Sequence, residues 1–245
     1  MNRRRTLRFL GLLAVLFFGI IAAYLLVVRP TNVPTLNSSG TAMKFYQVQP
    51  RPLWGDYGTI LINGMSGHLG RSDGRIQLER AGPFMPPVTF PGLSDLVVTD
   101  EFRRKLEKSD LGHFTYRPVI KARIVDLQWQ RWDLNAEDAP EVPETGEPED
   151  YILGRRHSQK LADEMGDVWE VVLNDGAVVD TEIARKPWDY DVRVHAGTWN
   201  GEHLYWGKMP EAMFGRWIIV TEHGKLWLEE NAGEWVRFKP LPVKQ

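Results

Sequence analysis

The 245-residue chain contains no cysteine. That one absence removes disulfides, zinc–thiolate sites, thiol nucleophiles and thiol redox chemistry together. None of the six histidines forms the His-x-x-x-His spacing that puts two imidazoles on one helix face for zinc. Gly64-Met65-Ser66-Gly67-His68 lacks the second glycine of a nucleophile elbow. The glycines from 64 to 70 run into Arg71-Ser72-Asp73-Gly74, another turn, where a phosphate-binding loop needs Lys-Ser/Thr opening a helix. The expectation is a chain that is not an enzyme and carries no cofactor or metal. One chemical alternative is kept: His195 and His203, with Asp189 and Asp191 beside the first, as a hydrolase or metal site.

Basic charge is also scarce where a nucleic-acid binder would need it. Residues 1–42 hold five arginines and no acid, which leaves 25 basic against 32 acidic residues in the rest, a net of −7. No phosphate-reading footprint remains, so nucleic acid is not an expected partner.

What the chain does contain begins with an uncharged run, residues 9–28 (FLGLLAVLFFGIIAAYLLVV). As a helix it is about 30 Å long, the hydrocarbon thickness of a bilayer, and the four arginines before it predict a cytoplasmic N-terminus. The expected layout is a basic segment at 1–8, a transmembrane helix at 9–28 and a Pro/Ser/Thr tether at 29–42. A first lobe over 43–133, an acidic loop over 134–152 and a second lobe over 153–245 follow. The globular part then lies in the periplasm, held to a bacterial inner membrane.

One pattern occurs twice. Residues 98–119 (VTDEFRRKLEKSDLGHFTYRPV) and 220–241 (VTEHGKLWLEENAGEWVRFKPL) align at a constant shift of 122 residues. Val98/Val220, Thr99/Thr221, Leu106/Leu228, Glu107/Glu229 and Pro118/Pro240 are identical. An apolar strand leads to a threonine that caps a helix, an acid at the helix dipole's positive end, and an aromatic β-prone run stopped by proline. The expected fold class is α+β, with two strand–helix–strand units; Gly224 leaves a hairpin open as an alternative in the second.

Elsewhere, Thr59–Ile62 and Arg75–Leu78 read as strands, and Lys121–Trp132 as one long strand of period two. Val168–Leu173, the Asn174-Asp175-Gly176 turn and Ala177–Asp180 read as a hairpin. Residues 135–150 (NAEDAPEVPETGEPED) carry seven acids, three prolines and no base, the composition of a mobile solvated loop. Its carboxylates Glu141, Glu144, Glu147, Glu149 and Asp150, with Trp132 on the polar face of the preceding strand, are the candidate partner-binding residues.

The repeated V-T-D/E, helix, aromatic-x-aromatic-R/K-P pattern and the Met43-Lys44-Phe45-Tyr46 opening resemble the paralogous double-CXXCG proteins of myxobacteria. That family is akin to immunity proteins of polymorphic toxin systems. This chain has neither CXXCG. The resemblance implies a binding protein that neutralises a partner by occlusion. On this reading the partner is a protein with a basic surface, a toxin in the immunity-protein case; the alternative is a structural, envelope-tethered protein without a toxin partner.

Overall fold

A computed structural model describes residues 43–92, 95–183, 190–208 and 217–244. The apolar run at 9–28 lies outside these residues. Among the described residues no helix is long and apolar enough to cross a membrane, and the single-pass membrane assignment is withdrawn. The α+β expectation is also corrected: the architecture is mostly β, with fourteen strands and five short α-helices among the described residues.

The strands run β1 (Phe45–Pro50), β2 (Arg71–Ser72), β3 (Arg75–Ala81), β4 (Val88–Thr89), β5 (Val97–Thr99), β6 (Thr115–Pro118) and β7 (Ile120–Val125). The second half repeats them as β8 (Val168–Val172), β9 (Asp175–Ile183), β10 (Tyr190–His195), β11 (Leu204–Lys208), β12 (Ile218–Thr221), β13 (Val236–Leu241) and β14 (Val243–Lys244). The helices are α1 (Gly55–Asn63), α2 (Asp100–Glu107), α3 (Asp150–Leu153), α4 (Gln159–Glu164) and α5 (Glu222–Ala232).

Both copies of the repeated pattern form strand, capped helix and strand. Thr99 accepts from the Phe102 amide and Thr221 from the Gly224 amide. Gly224 lies inside α5, at a position where a Cβ would meet the His203 carbonyl at 2.3 Å. The two strands of a unit do not pair with each other. β5 and β6 flank β8, while β12 and β13 flank β1, all antiparallel. Each unit is therefore completed by a strand from the opposite half of the chain.

The exchange keeps one register. Val98 and Pro118 both oppose Trp169, and their equivalents Val220 and Pro240 both oppose Tyr46. The side chains repeat too. The Trp169 indole donates to Asp100 at 3.0 Å, and the Tyr46 hydroxyl donates to Glu222, which pushes the phenol up to about 12. The Arg103 guanidinium lies over the Trp169 and Tyr116 rings at 4.7 and 5.8 Å; the Lys225 ammonium lies over Tyr46 and Phe238 at 5.5 and 5.8 Å.

The duplication extends to all seven strands. In the second half they run β13-β1-β12-β11-β9-β10-β14, and only Pro242 separates β13 from β14, so both edges belong to one run of chain. The sheet is nearly closed, in the manner of a barrel. The first half has the same order in two pieces, β6-β8-β5-β4 and β2-β3-β7, with only Val119 between β6 and β7. The break falls between β4 and β2, where their counterparts β11 and β9 are hydrogen-bonded in parallel.

Alternation sorts the side chains. Val97, Val168, Ile76 and Leu78 fill the first barrel; Ile219, Phe45, Val192 and Val194 fill the second. Val98, Leu106 and Val171 meet Val220, Leu228 and Val48 in a core shared by both halves. Each buried Leu or Val there contributes about 1.5–3 kcal/mol.

Three local expectations change. Thr59–Ile62 lies in α1, where the Thr59 hydroxyl donates to the Gly55 carbonyl one turn back and Leu61 and Ile62 face the core. The long strand after Lys121 stops at Val125, and Trp129–Arg131 is a single 3-10 turn with Trp129 buried. β8 and β9 form no hairpin: Asp175 and Gly176 of the expected turn already belong to β9, and the two strands enter different sheets.

Candidate functional site

The acidic segment is tied down along its length by an aromatic frame. Trp54, just before α1, donates its indole N–H to the Ala136 carbonyl at 3.0 Å. Tyr57 on α1 donates to the Gly146 carbonyl at 2.8 Å, and Tyr151 on α3 donates to the Glu141 carbonyl. The frame stands on itself: Trp54 meets Trp132 at 6.0 Å, Trp132 meets Tyr151 at 6.3 Å, and Tyr151 meets Tyr57 edge-on at 6.0 Å. Tyr151 is fully buried, and burial first, then the Glu141 charge, pushes its phenol up to about 12. Gly146, at φ 81°, makes the turn that a side chain would strain.

This fixing separates the expected carboxylates into two groups. Glu141 accepts from Arg155 at 2.6 Å, and Asp150 accepts from the Thr145 hydroxyl at 2.7 Å while opening α3. Glu144, Glu147 and Glu149, with Glu137 and Asp138, are exposed, and their carboxylates carry no hydrogen bond or ion pair among the described residues. Trp132 is half-buried in the frame and holds the segment from beneath. The segment is thus a strap with a held backbone and five open carboxylates. No group of three or more acidic or histidine side chains converges on a metal position among the described residues. Charges spread in this way suit an extended basic surface better than a point cation, which needs several oxygens at about 2.3–2.6 Å for calcium.

The histidine alternative is not assembled. His195 lies 2.7 Å from Asp180, which also takes Lys244 at 3.0 Å. His203 instead bonds the Thr221 hydroxyl at 2.7 Å and stands 4.6 Å, ring to ring, from His223, itself 2.8 Å from Asp110. Burial and the neighbouring His223 lower the basicity of His203. Asp191 is exposed, and Asp189 lies outside the described residues.

A polar cluster that sequence reasoning passed over lies where the first barrel is broken. Arg71 on β2 grips Glu170 on β8 with both terminal nitrogens, at 2.9 and 2.8 Å, and reaches Asp95 at 2.8 Å. Ser66 donates to the other Asp95 oxygen at 2.6 Å. Nearby on the same loop, His68 lies 2.8 Å from the buried Glu79, which also faces Arg123 at 3.0 Å. Ser66 thus contacts a carboxylate and His68 another one. The Ser66 hydroxyl faces a carboxylate already paired with the Arg71 guanidinium, and His68 faces Glu79 instead of the serine, so the arrangement has the form of a clamp. The only sequence signal was the 64–71 loop itself, whose glycines read as turns.

No family model, no curated protein and no solved structure matches the chain.

Proposed function

We propose that this chain is a binding protein that neutralises a basic protein partner, a toxin in the leading reading, by covering its surface with the acidic strap and without chemistry of its own. The observation that carries the reading is the strap itself: five unpaired carboxylates on a backbone pinned by Trp54, Tyr57 and Tyr151. A charged segment that is already ordered loses less freedom on binding than a disordered one. Like charges held side by side repel one another, and a cationic surface relieves that repulsion. The net charge of −7 outside residues 1–42 favours the same class of partner. The resemblance to the double-CXXCG proteins implies the same mode of action.

The test removes charge and leaves the frame. A variant carrying Glu137→Gln, Asp138→Asn, Glu144→Gln, Glu147→Gln and Glu149→Gln keeps every strap anchor. Wild type and variant are compared as baits for basic proteins of the native extract at rising salt, and then for rescue of growth when a retained partner is co-expressed. The expected result is association at least tenfold slower with the variant, a flattened salt dependence and lost rescue. Equal retention and equal rescue would reject the strap as the contact.

A further inference from the structure

We propose that β1 is an exchangeable strand, and that a second copy of this chain is a partner for the slot between β12 and β13. Within one molecule the two halves already complete each other by donating a strand: β1 enters the second sheet and β8 enters the first. The slot has one chemistry. It takes Phe45 into the barrel interior, Tyr46 onto Glu222 and beneath Lys225, and Val48 into the shared core. β12 and β13 each pair with β1 and not with each other, so the slot stays open until a strand of this pattern fills it. A second copy carries that strand, and every contact β1 makes in its own molecule is available in the other. Such reciprocal exchange is a low-cost route to a dimer, because the closed and exchanged forms differ mainly in the hinge and in the entropy of association.

The hinge favours opening. β1 ends at Pro50 and α1 begins at Gly55, leaving four residues, Arg51–Trp54. Trp54 has φ 45° and ψ 35°, a left-handed conformation that an aromatic residue rarely adopts, and Gly55 follows at φ 59°. The chain is folded back through two consecutive left-handed residues, one of which is strained. Extending the hinge to deliver β1 to a neighbour releases that strain. Short strained hinges are the ones that invite swapping. Four extended residues reach about 14 Å, so the two second barrels lie side by side in the dimer.

The cysteine-free chain permits a clean test. Gln47 and Lys239 are paired across β1 and β13, and both are only partly buried. Directly opposed strand residues have the separation a disulfide accepts. Purified full-length Gln47→Cys/Lys239→Cys protein is refolded at rising concentration, separated by size, oxidised and run without reductant. The expected result is a covalent dimer from the dimer fraction and an internally bridged monomer from the monomer fraction. Trp54→Gly, which makes the left-handed hinge cheap, is expected to lower the dimer yield about tenfold. A dimer fraction holding only internally bridged chains would mean association through another face, and the proposal would fall. A chain that stays monomeric at every concentration would overturn it as well.

Discussion

The first and second barrels use one strand order and differ at one seam. In the second, two residues separate β8 from β9, and β9 runs on to close against β11 by a backbone ladder. In the first, twenty residues stand between β1 and β2, enough for α1 and the glycine loop, and β2 never reaches β4. The gap is crossed by other means: Met65 exchanges two backbone bonds with Glu79, the Ser66 amide donates to the Pro91 carbonyl, and Arg71 spans to Asp95 and Glu170. An insertion that would split the sheet is thus absorbed by converting a ladder into a charge-assisted clamp. The conversion concentrates stability in few groups. A ladder loses one bond at a time, whereas the clamp hangs on one guanidinium whose carboxylate partners are largely buried.

Removing that guanidinium is the most severe way to break the comparison. Arg71→Met leaves Glu170, at 8% exposure, and Asp95, at 16%, without their main cation. The expected loss is about 3 kcal/mol by urea unfolding. Adding Glu170→Gln should recover part of it, since the orphaned charge is then gone. At the matching position of the second barrel stands Gln47, and Gln47→Leu should change stability by less than about 0.5 kcal/mol. Comparable losses at both positions would mean the seam is not held by charge.

The second barrel is vulnerable to bulk instead. Gly176 on β9 faces Tyr205, and a Cβ there would stand 2.1 Å from the ring. Gly176→Ala is therefore expected to cost about 2 kcal/mol through overpacking. The same ring carries an opposite prediction. Thr89, the first-barrel counterpart of Tyr205, hydrogen-bonds its hydroxyl to the Val97 carbonyl, but the Tyr205 hydroxyl is buried with no partner among the described residues. Tyr205→Phe should stabilise the protein by about 1 kcal/mol. A destabilised Tyr205→Phe would show that the hydroxyl has a bound water or ligand as its partner.

The contrast also shows what a single sequence makes legible. The 122-residue repeat, its threonine caps and its closing prolines could be read because they are local, set by spacing and backbone chemistry. The exchange of β1 and β8 could not. Its signature, Phe45-Tyr46-Gln47-Val48 against Val168-Trp169-Glu170-Val171, is too short and too divergent, and pairing partners far apart in the chain leave no periodicity. Thr59-Ile60-Leu61-Ile62 is β-branched and reads as strand, yet the left-handed turn at Trp54 and Gly55 starts a helix there. The strap's carboxylates were visible from composition. Their division into held and open members was not, since it depends on Trp54, Tyr57, Tyr151 and Arg155 arriving from outside the segment.

The mildest prediction concerns acid, where the second barrel also uses charge, at the join of β10 and β14. Asp180 takes Lys244 at 3.0 Å and His195 at 2.7 Å. The lysine first, then the histidine, holds its carboxyl below the usual carboxylate range. A carboxyl depressed on folding stabilises the folded state above its unfolded value, near about 3.9, and that contribution is lost as the pH falls through the lower folded value. Unfolding free energy measured between pH 6 and pH 3 should therefore drop less steeply at its acid end in Lys244→Met than in wild type. Asp100 is depressed too, chiefly by Arg103, so Arg103→Met should soften the same limb from the first half of the chain. The two changes touch separate elements and should add. An acid limb unchanged by either would mean that the drop belongs to other carboxylates, with the clamp of Glu170 and Asp95 the first place to look.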